Sequence, residues 1–93
     1  MERQRTGEDL YRLLHLRNGI YHYKCRVPTD LAGLDSRAPH VRISLKTRDL
    51  DRAMAPRDLL EAADNELWAS MMVDGETDYA RQRYQAAVRR AAA

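Results

Sequence analysis

Side chains that suit a polyanionic ligand recur at every second position in two segments of the chain. Residues 22, 24 and 26 are His, Lys and Arg, and residues 42, 44 and 46 are Arg, Ser and Lys. Successive side chains of a β-strand point to opposite faces of a sheet, so residues of one parity share a face. Arginine can donate two hydrogen bonds to guanine, and lysine can neutralise a phosphate. This spacing predicts a basic sheet face that binds duplex DNA.

The same parity rule gives the predicted sheet an apolar face as well. That face holds Leu14, Leu16, Tyr21, Tyr23, Cys25, Val27, Val41, Ile43 and Leu45. The opposite face carries five cations and no acid, whereas a face that only meets water usually mixes charge signs to relieve repulsion between neighbours. A solvated face without a ligand is the alternative to DNA binding. The candidate DNA-binding residues are Arg17, His22, Lys24, Arg26, Arg42, Ser44 and Lys46.

Three segments of alternating polarity, residues 13–17, 20–27 and 41–46, predict the strands of this sheet. Asn18-Gly19 separates the first two and favours a two-residue hairpin turn, because both residues accept a positive φ. The turn sets the register, with Leu16 opposite Tyr21, Leu14 opposite Tyr23 and His15 opposite His22. We expect Leu16 and Tyr21 to lie on the helix-covered face, and one helical turn to form near residues 30–34.

A long helix is predicted over residues 48–72. Thr47 is a suitable N-cap for it, and Pro56 should kink it or split it in two. Arg57 and Asp64 lie near its apolar stripe and interrupt the pattern. The stripe consists of Leu50, Ala53, Leu60, Ala63, Leu67 and Met71.

A second helix is predicted near the C-terminal end. Asp74-Gly75 marks the end of the first helix, and Thr77 can cap another that runs through residue 90. The expected fold is therefore α+β: a three-stranded antiparallel sheet packed on a long, Pro-kinked helix, followed by a second C-terminal helix. We divide the chain into an N-terminal tail (residues 1–10), a sheet-plus-helix DNA-binding domain (11–72), and a linker with the C-terminal helix (73–93).

The charges are distributed unevenly along the chain. Residues 12–48 contain eight Lys or Arg and two acids, whereas residues 49–78 contain nine acids and two Arg. Such asymmetry favours a polyanion-binding half beside a separate scaffold. No apolar run is long enough for a membrane helix, and the first ten residues lack the apolar core of a secretory signal. A lone cysteine fits a reducing compartment, so we expect a cytoplasmic location.

Two phrases in the sequence are similar to those of a known family. The segment that starts at Tyr11 is a hairpin rich in aromatics and arginine, and it ends in Val27-Pro-Thr-Asp-Leu. The segment from Val41 contains Ser-Leu-Lys-Thr-Arg-Asp at the predicted strand-to-helix junction and reaches Ala53. Together, in this order, they resemble the N-terminal end of phage-type tyrosine recombinases (integrases). The resemblance covers about half of the chain, and Pro56 and the acidic helix depart from the family pattern.

The resemblance implies an arm-type DNA-binding domain that places its sheet in a DNA groove. The parent enzyme would break and rejoin DNA during integration or recombination, and core-binding and catalytic domains would follow this one. Double-stranded DNA is then the expected partner, with other recombinase protomers or domains as further partners. A bacterial or phage-encoded origin and association with the nucleoid are also implied.

Catalytic and metal chemistry are not expected of the chain itself. No His-x-x-Arg phrase accompanies its five tyrosines, and no phosphate-binding glycine loop occurs. His15 and His22 could be two metal ligands, but a third is missing because Cys25 has the opposite parity. We therefore expect no cofactor, no metal and no small-molecule substrate. The alternative function is a protein-interaction module that docks a partner through the acidic helix and an exposed Trp68 or Met72.

Overall fold

A computed structural model describes residues 10–73 and 77–91 of the chain. These form β1 (Leu14–Arg17), β2 (Ile20–Arg26), a 3-10 turn (Thr29–Leu31), β3 (His40–Ser44), α1 (Leu50–Met72) and α2 (Asp78–Ala91). The sheet is antiparallel with the order β1-β2-β3, so the predicted α+β fold is confirmed. The tail before residue 10 and the helix end predicted at Asp74-Gly75 lie outside the described residues.

The β1–β2 hairpin has the predicted turn and register. Asn18 and Gly19 have φ values of 53° and 79°, as a two-residue turn of this kind requires. Leu16 pairs with Tyr21 as expected, and the other two predicted pairs are also present. Leu16 is nevertheless 55% exposed, so the prediction that the helix covers it is wrong. It lies two residues closer to the turn than Leu14, which packs against the core.

The third strand ends at Ser44, two residues earlier than predicted. Leu45 donates its N–H to the carbonyl of Tyr21, and Tyr21 donates its own N–H to the carbonyl of Thr47. Lys46 lies between these two bonds with a φ of 56°, so the chain bulges there and strand parity no longer sets its face. The prediction that Lys46 belongs to the third strand is therefore wrong.

Helix α1 runs without interruption through Pro56, so the predicted split does not occur. It begins at Leu50 with Asp49 as its N-cap, and Thr47 instead accepts a hydrogen bond from the Asp49 N–H at 3.1 Å. Trp68 is only 8% exposed, which makes the prediction of an exposed Trp68 wrong. The buried stripe of α1 is Ala53, Arg57, Leu60, Asp64, Leu67 and Trp68.

Helix α2 belongs to the same packed unit as the sheet and α1. Its buried residues are Ala80, Ala87 and Ala91. Ala91 joins the core cluster that contains Tyr23 and Leu60, and Val88 packs against that cluster. No helix among the described residues is long and apolar enough to cross a membrane.

Candidate nucleic-acid interface

The sheet brings six of the seven candidate residues together on one face. In the β2–β3 register His22 is opposite Ser44, and Lys24 is opposite Arg42. Arg17 and Arg26 share this face by parity, because alternate residues of a strand point the same way. We call this surface the basic face; it consists of His15, Arg17, His22, Lys24, Arg26, His40, Arg42 and Ser44.

The basic face is concave. A groove of about 290 Å³ is lined by His15, Arg17, His22, Lys24 and Arg42, with no acidic residue among them. His22 and Lys24 on the central strand are half-buried, whereas Arg17 and Arg42 on the outer strands are exposed. The exposed guanidinium groups therefore flank a floor of half-buried polar side chains, an arrangement that can hold an elongated anion.

His40 is a member of the basic face that sequence reasoning missed. It opens β3 and lies directly opposite Arg26. His40 could have been found from its spacing, because it lies two residues before Arg42 and so shares its face. It was missed because the predicted strand began at residue 41. Desolvation, and then the positive charges of Lys24, Arg42 and Arg26, lower the pKa of His40 below its ordinary value. An anion that offset those charges would raise this pKa again and favour the protonated imidazole.

The basic surface continues around the edge of β3. A cleft of about 660 Å³ separates this edge from α2, and it is lined by both polar and apolar side chains. Arg42 and His40 line it from the strand, and Arg89 lines it from the helix. Arg42 therefore borders both this cleft and the groove on the basic face.

Lys46 does not share either of these surfaces. It lines a separate cleft with Arg52 and Arg90, on the side of the bulge where the two helices lie. The prediction that Lys46 joins the other candidate cations on one sheet face is therefore wrong, because the bulge after β3 reorients the chain there.

A buried polar network lies beneath the basic face, and the sequence analysis did not predict it. Tyr23 donates its hydroxyl to Asp64 Oδ2 at 2.7 Å, and Arg37 Nη1 donates to Asp64 Oδ1 at 2.7 Å. Burial raises the pKa of Asp64, and burial followed by the bond to Asp64 raises the pKa of Tyr23. Since Tyr23 stands between His22 and Lys24 in β2, this network anchors the strand that carries them.

Arg37 also connects the network to the loop before β3. Its Nε and Nη2 atoms donate to Asp35 at 2.9 and 2.6 Å, and Trp68 Nε1 donates to the same carboxylate at 2.9 Å. These hydrogen bonds, those from Arg37 first, hold the pKa of Asp35 well below its ordinary value. The Arg37 guanidinium lies 4.6 Å from the ring centre of Tyr84 on α2. The loop, both helices and β2 are thus joined through one arginine.

The acidic residues of α1 are largely engaged inside the chain. Glu61 accepts hydrogen bonds from Arg12 at 2.6 and 3.1 Å, and Glu66 lies 3.3 Å from Arg83. The fully buried Arg57 donates to the carbonyls of Leu10 and Arg12, which fixes the segment leading into β1. These contacts leave less free acidic surface on α1 than its composition suggests.

Within residues 10–73 and 77–91, no group of three or more His, Cys, Asp and Glu side chains is arranged to hold a metal ion. Cys25 is a free, half-buried thiol whose pKa is raised chiefly by burial.

Residues 13–73 match a protein family described as a domain of unknown function, DUF6538. The chain belongs to this family. The DUF6538 match spans the three strands and α1, so every residue of the basic face lies inside it, whereas α2 lies beyond it. The chain matches no curated protein and no solved structure.

Proposed function

We propose that this DUF6538 domain binds duplex DNA through its basic face. The observation that carries the proposal is the groove lined by His15, Arg17, His22, Lys24 and Arg42, with no carboxylate among the lining residues that the structure describes. An antiparallel sheet can enter the major groove of DNA, where base edges present acceptors to arginine. The phosphates that flank the groove attract lysine and arginine whatever the sequence.

The charge arrangement on this face is costly unless an anion is present. Lys24 faces Arg42 directly, and like charges in such cross-strand pairs destabilise a sheet. The chain contains enough acids to neutralise these cations, but α1 engages several of its own acids with Arg12, Arg57 and Arg83. A phosphate backbone would supply the missing negative charge.

The proposal extends to the protein in which such a domain works. The chain would be the DNA-binding module of a site-specific tyrosine recombinase, and it would position that enzyme on DNA for integration or recombination. Its support is the resemblance of the two sequence phrases, one at the end of β2 and the other running from β3 into α1. In this proposal the chain itself performs no catalysis.

Fluorescence anisotropy with a labelled mixed-sequence duplex tests DNA binding. The logarithm of the association constant should fall linearly with the logarithm of the salt concentration, with a slope of about −0.9 per phosphate neutralised. If about four phosphates are contacted, the slope is about −3.6 between roughly 50 and 200 mM salt. Binding that does not depend on salt would contradict the proposal.

Matched variants separate the basic face from the rest of the surface. Arg42→Gln should weaken binding, whereas Glu66→Gln on α1 should leave it unchanged or slightly stronger, because it removes a negative charge without touching the sheet. If Arg42→Gln binds DNA like the wild type while α1 variants lose a protein partner, the chain is instead a protein-interaction module. The 71% exposed Met72 at the end of α1 would then be the first contact to examine.

A further inference from the structure

A second cationic cleft lies away from the basic face. It has a volume of about 600 Å³ and is enclosed by the bulge after β3, the first part of α1 and the last turn of α2. Three cations line it, one from each of these elements: Lys46, Arg52 and Arg90. The other lining residues are Leu45, Thr47, Ala55, Pro56, Leu59 and Ala91.

The cations that line this cleft outnumber the acids beside them. No carboxylate is among the described residues that line the cleft. Arg52 is 3.6 Å from Asp49, but both side chains are mostly exposed, so this pair is loosely held. Arg90 suits the C-terminal end of α2, where a cation offsets the helix dipole, yet that role does not require it to border a cleft shared with two other cations.

The backbone at Lys46 supports a role for this cleft. Its φ of 56° lies in the left-handed region, which costs a residue other than glycine roughly 1 kcal/mol. Glycine would satisfy the bulge without that cost. Lys46 keeps this strained backbone beside two arginines, and its side chain adds a third cation to the cleft.

We propose that this cleft binds a phosphate group. Lys46 and the two arginines would supply charge-assisted hydrogen bonds, and the Thr47 hydroxyl can donate one more. The apolar side of the cleft, formed by Pro56 and Leu59, suits the carbon substituents of a phosphodiester better than it suits a free anion. The phosphate group has two possible sources, a backbone phosphate of the bound duplex and a free phosphate compound. The duplex source rests on the proposed function, whereas the site itself does not.

Titration with inorganic phosphate, followed by amide and arginine side-chain NMR signals, tests the site without DNA. We expect saturating shifts at Lys46, Thr47 and Arg52, and Arg42→Gln on the basic face should leave these shifts unchanged. Arg90→Gln should raise the dissociation constant about tenfold, the equivalent of one charge-assisted hydrogen bond. Arg81→Gln, an exposed arginine on the same helix that does not line the cleft, is the control.

A Lys46→Gly variant distinguishes the loss of a cation from the loss of the fold. It should raise the melting temperature by relieving the left-handed backbone, and still weaken phosphate binding. If Lys46→Gly and Arg90→Gln bind phosphate as the wild type does, or if phosphate shifts no cleft signal, the proposal is overturned.

Duplex DNA distinguishes the two sources of the phosphate. If the cleft holds a DNA phosphate, Arg90→Gln should flatten the salt slope of duplex binding by about 0.9. If phosphate binds the cleft while the chain does not bind duplex DNA, the site stands for a free phosphate compound and the proposed function fails. If duplex binding depends on Arg42 but cleft variants change neither the slope nor phosphate binding, the proposed function stands and the cleft site fails.

Discussion

Lys24 on β2 and Arg42 on β3 are directly opposite each other in the sheet, two cations in one cross-strand pair. Side chains in such pairs are close enough to repel, and like charges directly opposite each other destabilise a sheet. The pair therefore works against folding, and a ligand of opposite charge would offset the repulsion. Stability and binding should respond in opposite directions when the pair is changed.

Lys24→Gln tests whether stability and DNA binding change in opposite directions. We expect its melting temperature to equal or exceed that of the wild type, because the repulsion with Arg42 is removed. Its affinity for all duplex sequences should fall alike, and the salt slope should flatten by about one unit. Thermal denaturation and anisotropy measure the two effects on the same protein. A variant that loses stability and keeps its affinity would show that Lys24 serves the fold.

Arg42→Ala should affect specific binding more than nonspecific binding. Arginine can contact O6 and N7 of one guanine, and the loss of such a contact costs about 1–3 kcal/mol of discrimination. The preferred duplex is first selected from a random pool by the wild-type chain. The variant is then compared on that duplex and on a scrambled one. Equal losses on both would mean that Arg42 contacts only phosphate.

The affinity for DNA should rise as the pH falls, and His40 should account for part of the rise. The pKa of His40 is lowered in the free chain by desolvation and by Lys24, Arg42 and Arg26. Nearby phosphates would offset these charges and raise that pKa, so binding takes up a proton. One proton changes the association constant by at most about tenfold per pH unit. Anisotropy across about pH 5.5–8 should show a weaker dependence for His40→Gln, and an unchanged dependence would contradict this role.

Asp35→Asn should destabilise the fold strongly near neutral pH. Asp35 is buried and accepts hydrogen bonds from Arg37 and Trp68, and a hydrogen bond to a charged group contributes about 1.5–3 kcal/mol. Its folded pKa lies below the unfolded one, so the carboxylate stabilises the fold above the unfolded pKa. That contribution is lost as the pH falls through the folded pKa. The gap between the wild type and the variant in urea denaturation should therefore narrow below about pH 4.

Tyr23→Phe should isolate the hydrogen bond between the sheet and α1. The substitution keeps the buried ring and removes the hydroxyl that donates to Asp64. A hydrogen bond to a charged group contributes about 1.5–3 kcal/mol, so the free energy of unfolding measured by urea denaturation should fall by about that amount. Tyr21→Phe, on the same strand and half-buried, is the control. Equal effects of the two changes would mean that the Asp64 bond contributes little.

Local patterns predicted the sheet well, because they depend on neighbours in the sequence. Asn18-Gly19 determined the turn, and the turn determined which residues of β1 and β2 are paired. The alternation of β3 predicted that Arg42 projects from one face, but it did not predict that β3 lies beside β2. The ends of β3 were misjudged at His40 and Lys46, because a strand boundary depends on hydrogen bonds to another strand. The exposure of Leu16 was also misjudged.

The buried charges could not be predicted from the same patterns. Arg57 and Asp64 interrupted the apolar stripe of α1 in the sequence, yet both are fully buried members of that stripe. Their burial is tolerable only because distant groups satisfy them, such as Tyr23 and the carbonyl of Leu10. Periodicity along one helix contains no information about such partners. It also could not show that Trp68 turns inward to bond Asp35.

Arg42 separates two depressions of the surface, because it lines both the groove on the basic face and the cleft beside α2. A DNA duplex has the complementary shape, because two protruding backbones flank a major groove about 12 Å wide. Under the proposed function, one backbone would lie in the groove and the other in the cleft, and Arg42 would project into the major groove between them. The Arg42 guanidinium would then contact base edges, while Lys24 in the groove and Arg89 in the cleft would contact phosphates.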